Sequence, residues 1–285
     1  MGFNSIMKRF RYVSEAENKG WRADFLRILI TNDDGINAPG LAVLTEIAEA
    51  LAGHDGEVWC VAPAFEQSGV GHAISYTQPM MVSQMGPRRF AVQGSPADCV
   101  LAGLHDIMGG LRPDLVLSGV NRGNNAAENA VYSGTLGAAM EAALQGVRAI
   151  ALSQFYGPAN KDLDDTFDAS REHGLATVQR LLDKGVWTND DYGIFYNVNF
   201  PPVPASGVKG LRAAPQGFRR DIGFGVQPHT SPSGRRFLWV TGAPQQEPTS
   251  PGSDAAVNLE GYISVTPMRA DLTAHDILEQ LKAIE

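Results

Sequence analysis

Cysteine is scarce in this chain: Cys60 and Cys99 are the only two among 285 residues. Cys60 falls in an apolar, strand-like run and Cys99 in a helix-like stretch, so the pair builds no disulfide framework. Both read as buried thiols of a reducing compartment, and a cytoplasmic location is expected. No uninterrupted apolar run is long enough to cross a membrane, which leaves no membrane partner in the reading. Positive charge is in deficit, with a formal net charge of −8, so a nucleic-acid polymer is not expected as the principal partner. The six histidines, at 54, 72, 105, 173, 229 and 275, show no paired ligand spacing, which disfavours zinc. A glycine-rich dinucleotide loop, a P-loop lysine and internal repeats are also missing.

What remains is a pattern of alternating strands and helices. Arg27 to Asn32 reads as a short buried strand, and Pro39 opens a helix with Leu41, Leu44, Ile47, Ala48 and Leu51 at helical spacing. Val58–Ala62, Asp114–Gly119, Ala149–Ser153 and Ile194–Phe200 read as further strands, and Gly134–Gln145 and Phe167–Leu182 as helices. The expected fold is α/β: a Rossmann-like three-layer α/β/α sandwich with a mostly parallel sheet. Residues 1–25 carry Lys8, Arg9, Arg11, Lys19 and Arg22 without the apolar core of a secretory signal, and are expected to form a poorly ordered extension. The domain then spans 26–285. Residues 203–252 are rich in Pro, Gly, Gln and Arg and suit extended hairpins or an arm. Thr273, with Asp276 three residues on, is expected to open a final helix whose apolar face is Ile277, Leu278, Leu281 and Ile284.

The chemistry gathers at the carboxyl ends of these strands, where open α/β sheets bind ligands. Asp33 and Asp34 follow the first strand directly, and Gly35 lets the chain turn there. Two adjacent carboxylates at such a place are costly unless a cation neutralises them. The loop after the second strand offers the hydroxyl of Ser68 beside Gly69, and the loop after the third offers Asn121, Arg122 and Asn125. An amide oxygen of Asn121 can complete an oxygen-only shell with Asp33, Asp34 and Ser68, of the kind Mg²⁺ or Mn²⁺ accepts with several waters. Ser133, Gly134 and Thr135 open a small-residue helix whose leading N–H groups form a phosphate cradle. Asn32, Gly69, Asn121, Arg122, Asn125, Ser133, Gly134 and Thr135 are therefore the candidate substrate contacts, with Asp33 and Asp34 as candidate catalytic groups. The constellation fits metal-assisted hydrolysis of a phosphate monoester by water. Spacing leaves open which aspartate acts on the water and whether either is phosphorylated.

An ordered series of motifs resembles the SurE family of survival-protein nucleotidases. It comprises Ile30-Thr31-Asn32-Asp33-Asp34-Gly35 with Ala38-Pro39-Gly40, Ser68-Gly69, and Gly94-Ser95-Pro96-Ala97-Asp98-Cys99-Val100. It continues through Ser118-Gly119-Val120-Asn121 with Gly123 and Asn125, Tyr132-Ser133-Gly134-Thr135, Asn197-Val198-Asn199, and Gly261 to Pro267 with Asp271-Leu272-Thr273. The resemblance implies divalent-metal-dependent 5′-nucleotidase activity on nucleoside monophosphates, extending to 3′-nucleotides and short polyphosphate. It implies one Mg²⁺ or Mn²⁺ per subunit at Asp33, Asp34, Ser68 and Asn121. It also implies a homodimer or homotetramer that exchanges a C-terminal hairpin and helix, from the stretch of about 203–285. The chain departs from the family at Ala126-Ala127-Glu128-Asn129-Ala130, where the family carries glycine and then an acidic pair before the tyrosine. Met80, Met81 and Tyr76 read as packing residues ahead of a nucleoside pocket.

Two readings compete. A receiver-like phospho-acceptor module also places an acidic pair after the first strand, but needs an aspartate after the third strand and a lysine after the fifth. Here those strands lead into Ser118-Gly119 and Ser153-Gln154. The other is a non-catalytic nucleotide-binding module, which the missing dinucleotide and P-loop motifs do not favour.

Overall fold

Three consecutive aliphatic residues, Ile28, Leu29 and Ile30, are fully buried in the first strand, and they face opposite ways. Ile28 and Ile30 join one hydrophobic cluster and Leu29 the other, as the twofold period of a strand requires when both sheet faces are covered. The computed structural model describes residues 25–187, 192–220, 223–242, 244–247 and 249–285. The expected N-terminal extension, apart from Phe25, lies outside the described residues.

The chain runs β1 (Arg27–Thr31), α1 (Pro39–Ala52), β2 (Glu57–Pro63), β3 (Val82–Gly86), β4 (Arg89–Val92) and α2 (Pro96–Ala102). It continues through β5 (Leu115–Arg122), α3 (Asn129–Tyr132), α4 (Gly134–Leu144), β6 (Arg148–Gln154), α5 (Asp168–Lys184) and β7 (Phe195–Phe200). Then come β8 (Leu211–Ala213), β9 (Gly225–Thr230), β10 (Arg236–Thr241), α6 (Asp254–Leu259), β11 (Ile263–Met268) and α7 (Leu278–Leu281). The main sheet has the order β3-β4-β2-β1-β5-β6-β7-β11-β8. Its pairs are parallel except β3 with β4 and β7 with β11. Helices α1 and α5 cover one face through Leu41, Leu44, Ile47, Val178 and Leu181, and α2 and α4 the other through Cys99, Val100, Leu136 and Ala139. The mostly parallel α/β fold expected from the sequence is the one observed.

The strand order turns back on itself between β1 and β5, because β2 and β4 extend the sheet one way and β6 and β7 the other. That switch point is where an open α/β sheet leaves a crevice at its carboxyl edge.

Within the region after Phe200, β8, α6 and β11 belong to the main sheet and its covering layers, whereas β9 and β10 form a separate, exposed antiparallel hairpin. The final helix differs from expectation. Thr273 caps nothing: its N–H donates to Asp271 Oδ1 at 2.9 Å, and helix appears only as short pieces over His275–Ile277, Leu278–Leu281 and Lys282–Ile284. Leu278, Leu281 and Ile284 are exposed, so the apolar face that would propagate a longer helix has nothing in this subunit to pack on.

Candidate active site at the β1–β5 crevice

Asp33 and Asp34 leave β1 at the switch point, and their surroundings differ. Asp33 is buried, and Thr135 grips both of its oxygens: the hydroxyl donates to Oδ1 at 2.8 Å and the backbone N–H to Oδ2 at 3.2 Å. Gly134 allows this approach, since a Cβ there would stand 3.0 Å from the Cβ of Asp33. Burial, and then the charge of Asp34, push the Asp33 carboxyl up to about 6, against the pull of the Thr135 donors. Asp34 is only partly buried and accepts one bond, from the Arg122 backbone N–H to Oδ2 at 3.0 Å. Burial raises its pKa as well, while the Arg122 N–H and guanidinium oppose the rise and the charge of Glu66 adds to it.

Ser68 sits on the loop after β2, exposed, with its hydroxyl donating to Glu66 Oε1 at 2.8 Å. That loop is fixed at three points, one of them the Gly71 N–H, which donates to the Tyr132 carbonyl at 3.0 Å. The Gln67 N–H donates to the Asp33 carbonyl at 2.7 Å, and His72 Nε2 meets Glu141 Oε2 on α4 at 2.7 Å. Gly137 lets the loop settle on α4, where a Cβ would lie 2.3 Å from the Gly71 carbonyl oxygen. Gly69 adopts φ of 76° with open space around it, so its role is backbone conformation.

Asn121 lies near the end of β5, after a register shift against β6. Gly119, at φ of 131°, makes this stretch possible because a Cβ would stand 2.1 Å from the Leu152 carbonyl oxygen. Asn121 Nδ2 donates to the Gly123 carbonyl at 3.0 Å, which leaves its amide oxygen as the acceptor for a ligand. Ser133 caps α4 by accepting the Leu136 N–H at 3.1 Å. With the Thr135 N–H given to Asp33, the Gly134 N–H has no acceptor among the described residues.

The oxygen atoms here outnumber their donors. Asn32 gives Nδ2 to the Gly35 carbonyl at 2.9 Å, but its buried Oδ1 has no hydrogen-bond partner among the described residues, and neither do the buried hydroxyls of Thr31 and Ser118. Thr31 and Ser118 are register partners on β1 and β5, so these atoms share the same end of the same strand pair. Two carboxylates with raised pKa, an amide oxygen and a hydroxyl form an acceptor-rich set that a hard divalent cation would satisfy. Among the described residues no group of three or more His, Cys, Asp or Glu stands together, so the set fits a cation that keeps several waters better than zinc. A cleft of about 380 Å³ adjoins this rim, lined by Phe65, Gln67, Ile74, Ser75, Gln93 and Ser95 among others.

Residues 28–222 match the family described as Survival protein SurE. The chain belongs to the SurE family. Over 259 residues it is 69% identical to a protein of Roseobacter denitrificans named 5′-nucleotidase SurE, covering 91% of this chain and 99% of that one. A protein of the same name from Cereibacter sphaeroides (strain ATCC 17029 / ATH 2.4.9) is 68% identical over 259 residues, with the same shares covered. The crystal structure of SurE protein from Aquifex aeolicus superposes with a TM-score of 0.73 at 33% identity, covering 90% of this chain and 99% of that one.

In this SurE-family chain the bonds described join Asp33 to Thr135 and Asp34 to the Arg122 N–H, with Asn121 next to Arg122 in sequence, Gly134 packed against Asp33 and the Ser68 loop anchored beside them. Asn125 is placed otherwise. Its N–H donates to Asn199 Oδ1 at 2.7 Å, its Nδ2 to Ser153 Oγ at 2.8 Å, and its carbonyl accepts from Asn197 Nδ2 at 2.9 Å. The Asn125 N–H, Nδ2 and carbonyl are thus engaged within the protein and hold the loop, while these bonds leave its side-chain Oδ1 as an acceptor. The supporting residues Asn197 and Asn199 had a visible signal, two amides on one face of an otherwise apolar strand. Arg219, Glu128 and Asp254, which also hold this loop, had none, because their contacts span about ninety residues or more.

Proposed function

We propose that this protein hydrolyses nucleoside 5′-monophosphates to nucleoside and phosphate, using one Mg²⁺ or Mn²⁺ held by Asp33, Asp34, Ser68 and Asn121. The observation that carries the reading is the acceptor-rich crevice itself: two crowded carboxylates beside unpartnered buried oxygens and the N-terminus of α4. The names of relatives at 68–69% identity agree with it. When bound, the cation supplies charge neutralisation at the phosphoryl oxygens and a more acidic water. The chain's own groups divide the remaining work. Thr135 locks Asp33 in place, so Asp33 orients and does not move. Asp34, whose Oδ1 has no hydrogen bond among the described residues, is the group that takes the proton of the attacking water. The Gly134 N–H and the α4 terminus hold phosphoryl oxygens as charge grows on them. 3′-Nucleotides and short polyphosphate present the same terminal phosphoryl group and fall within the same chemistry.

Assembly into a homodimer or homotetramer is part of the proposal. Phe237, Leu238, Trp239 and Val240 are all more than half exposed on the hairpin, and Leu278, Leu281 and Ile284 are exposed on the C-terminal segment. A cytoplasmic setting is proposed from the two buried free thiols. No described helix is long and apolar enough to cross a membrane.

Purified protein with Mn²⁺ should release inorganic phosphate from AMP, GMP, UMP and CMP, and chelation should stop it. Turnover that persists after exhaustive chelation would refute the metal-dependent reading.

A further inference from the structure

Arg219 leads the fully buried side chains in size among the described residues, yet it belongs to no helix or strand. A buried guanidinium is expensive unless nearly all its donors are met. Here they are met by one loop and one neighbouring segment. Nη1 forms an ion pair with Glu128 Oε1 at 2.8 Å and reaches the Ala126 carbonyl at 3.3 Å. Nη2 donates to Asn124 Oδ1 at 3.1 Å, Nε to the Gln245 carbonyl at 3.3 Å, and the Arg219 backbone N–H to Glu128 Oε2 at 2.9 Å.

The positions of these partners carry the inference. Asn124, Ala126 and Glu128 lie in the loop that leaves β5 after Asn121 and ends at Ser133, the cap of α4. Ala127, in the middle, is held at φ of 56°, a conformation an L residue keeps only when its neighbours impose it. Asp254 does so by accepting the Ala127 N–H, and Gln216 by donating to its carbonyl at 2.9 Å. Arg219 precedes the β9–β10 hairpin by a few residues and Gln245 follows it by a few. Gln245 Oε1 in turn accepts from Asn124 Nδ2 at 3.1 Å and from Asn129 Nδ2. Both feet of the hairpin are therefore stapled to the loop that joins the proposed metal donor to the phosphate cradle.

We propose that Arg219 is a positioning residue: it fixes the Asn124–Glu128 loop so that Asn121 before it and Ser133-Gly134 after it keep their places beside Asp33 and Asp34, and it ties that loop to the hairpin. The role rests on the nucleotidase reading above and adds a residue with no direct contact to either aspartate. Arginine suits it because its planar fork serves four acceptors at fixed angles, whereas lysine offers one point charge.

Two variants test it. R219K keeps the charge beside Glu128 but cannot also reach Asn124 and Ala126. R219M/E128Q removes both charges together, so no unpaired buried charge remains to unfold the chain. With saturating Mn²⁺, each is expected to lose roughly tenfold or more in kcat on AMP, with KM within about threefold of the parent. In the absence of nucleotide, the Mn²⁺ concentration giving half the thermal shift should rise about threefold, because Asn121 is no longer held. A lower melting temperature with kcat and the Mn²⁺ midpoint both within about twofold of the parent would reduce Arg219 to a packing residue and overturn the proposal. A parent enzyme with no AMP hydrolysis would instead bring down the nucleotidase reading, and the proposal with it.

Discussion

Around Asp33 polar side chains are buried, while along the β9–β10 hairpin apolar ones are exposed. Asn32, Asp33, Asn125, Ser133 and Thr135 are nearly shielded from solvent, yet Trp239 and Val240 are 65% and 70% exposed. Each arrangement runs against the hydrophobic effect, and each fits one half of the proposed reading: a cation and an anionic substrate at the crevice, another subunit at the hairpin. The two regions also differ in how they are held. The crevice is cross-linked by hydrogen bonds from β6, β7, α4, α6 and the hairpin feet, whereas β9 and β10 pair with each other alone. On the proposed reading, function that depends on fixed distances sits in the first, and association that depends on area sits in the second.

Changing the carboxylates should break the contrast most sharply. D34N removes the charge of the carboxylate proposed to take the proton, and D33N removes the anchor that Thr135 holds. Each is expected to lower kcat by about 10²–10³-fold. Phosphate release under saturating Mn²⁺ measures the loss. D33N should change its melting temperature only modestly, because relief of the buried charge is offset by an amide NH2 that faces one of the two Thr135 donors; near-parental activity in both variants would show that the crevice is not the reaction site.

The hairpin should respond in the opposite currency. W239D puts a charge on its exposed apolar row, and light scattering should show a shift to lower mass. The kcat per subunit should fall by less than about tenfold, because Trp239 is exposed on a hairpin outside the main sheet and the feet at Arg219 and Gln245 remain. An unchanged mass would remove the hairpin from the assembly.

The same contrast explains what the sequence disclosed. β1, β2, β5, β6 and β7 were legible because strands buried on both faces read as unbroken apolar runs, and Asp33-Asp34-Gly35 was legible because it ends one of them. β3 was not: Val82, Met85 and their neighbours are exposed at the sheet edge, so no buried period marks it. The single helix expected from Thr273 relied on an apolar face that this subunit does not cover. At the site, residue types pointed to Asp33 and Thr135, which the structure bonds to each other. The engagement of Asn125 within the protein and the clamp by Arg219 depend on partners so remote in sequence that no local pattern encodes them.

The smallest expected effect tests whether the crevice needs its full set of cross-links. Ser153 is the β6 register partner of Asn121, and its buried hydroxyl accepts from Asn125 Nδ2 at 2.8 Å. S153A leaves that amide hydrogen without an acceptor, a cost of about 1–3 kcal/mol. For a chain of this size the melting temperature should fall by roughly 2–4 °C for each kcal/mol. Because Arg219, Asn197 and Asn199 still hold the same loop, kcat should drop only about two- to threefold. A loss as large as that of D34N would mean that the loop has no redundancy and that a single hydroxyl sets the position of Asn121. An unchanged melting temperature would mean that a water takes the place of the Ser153 hydroxyl.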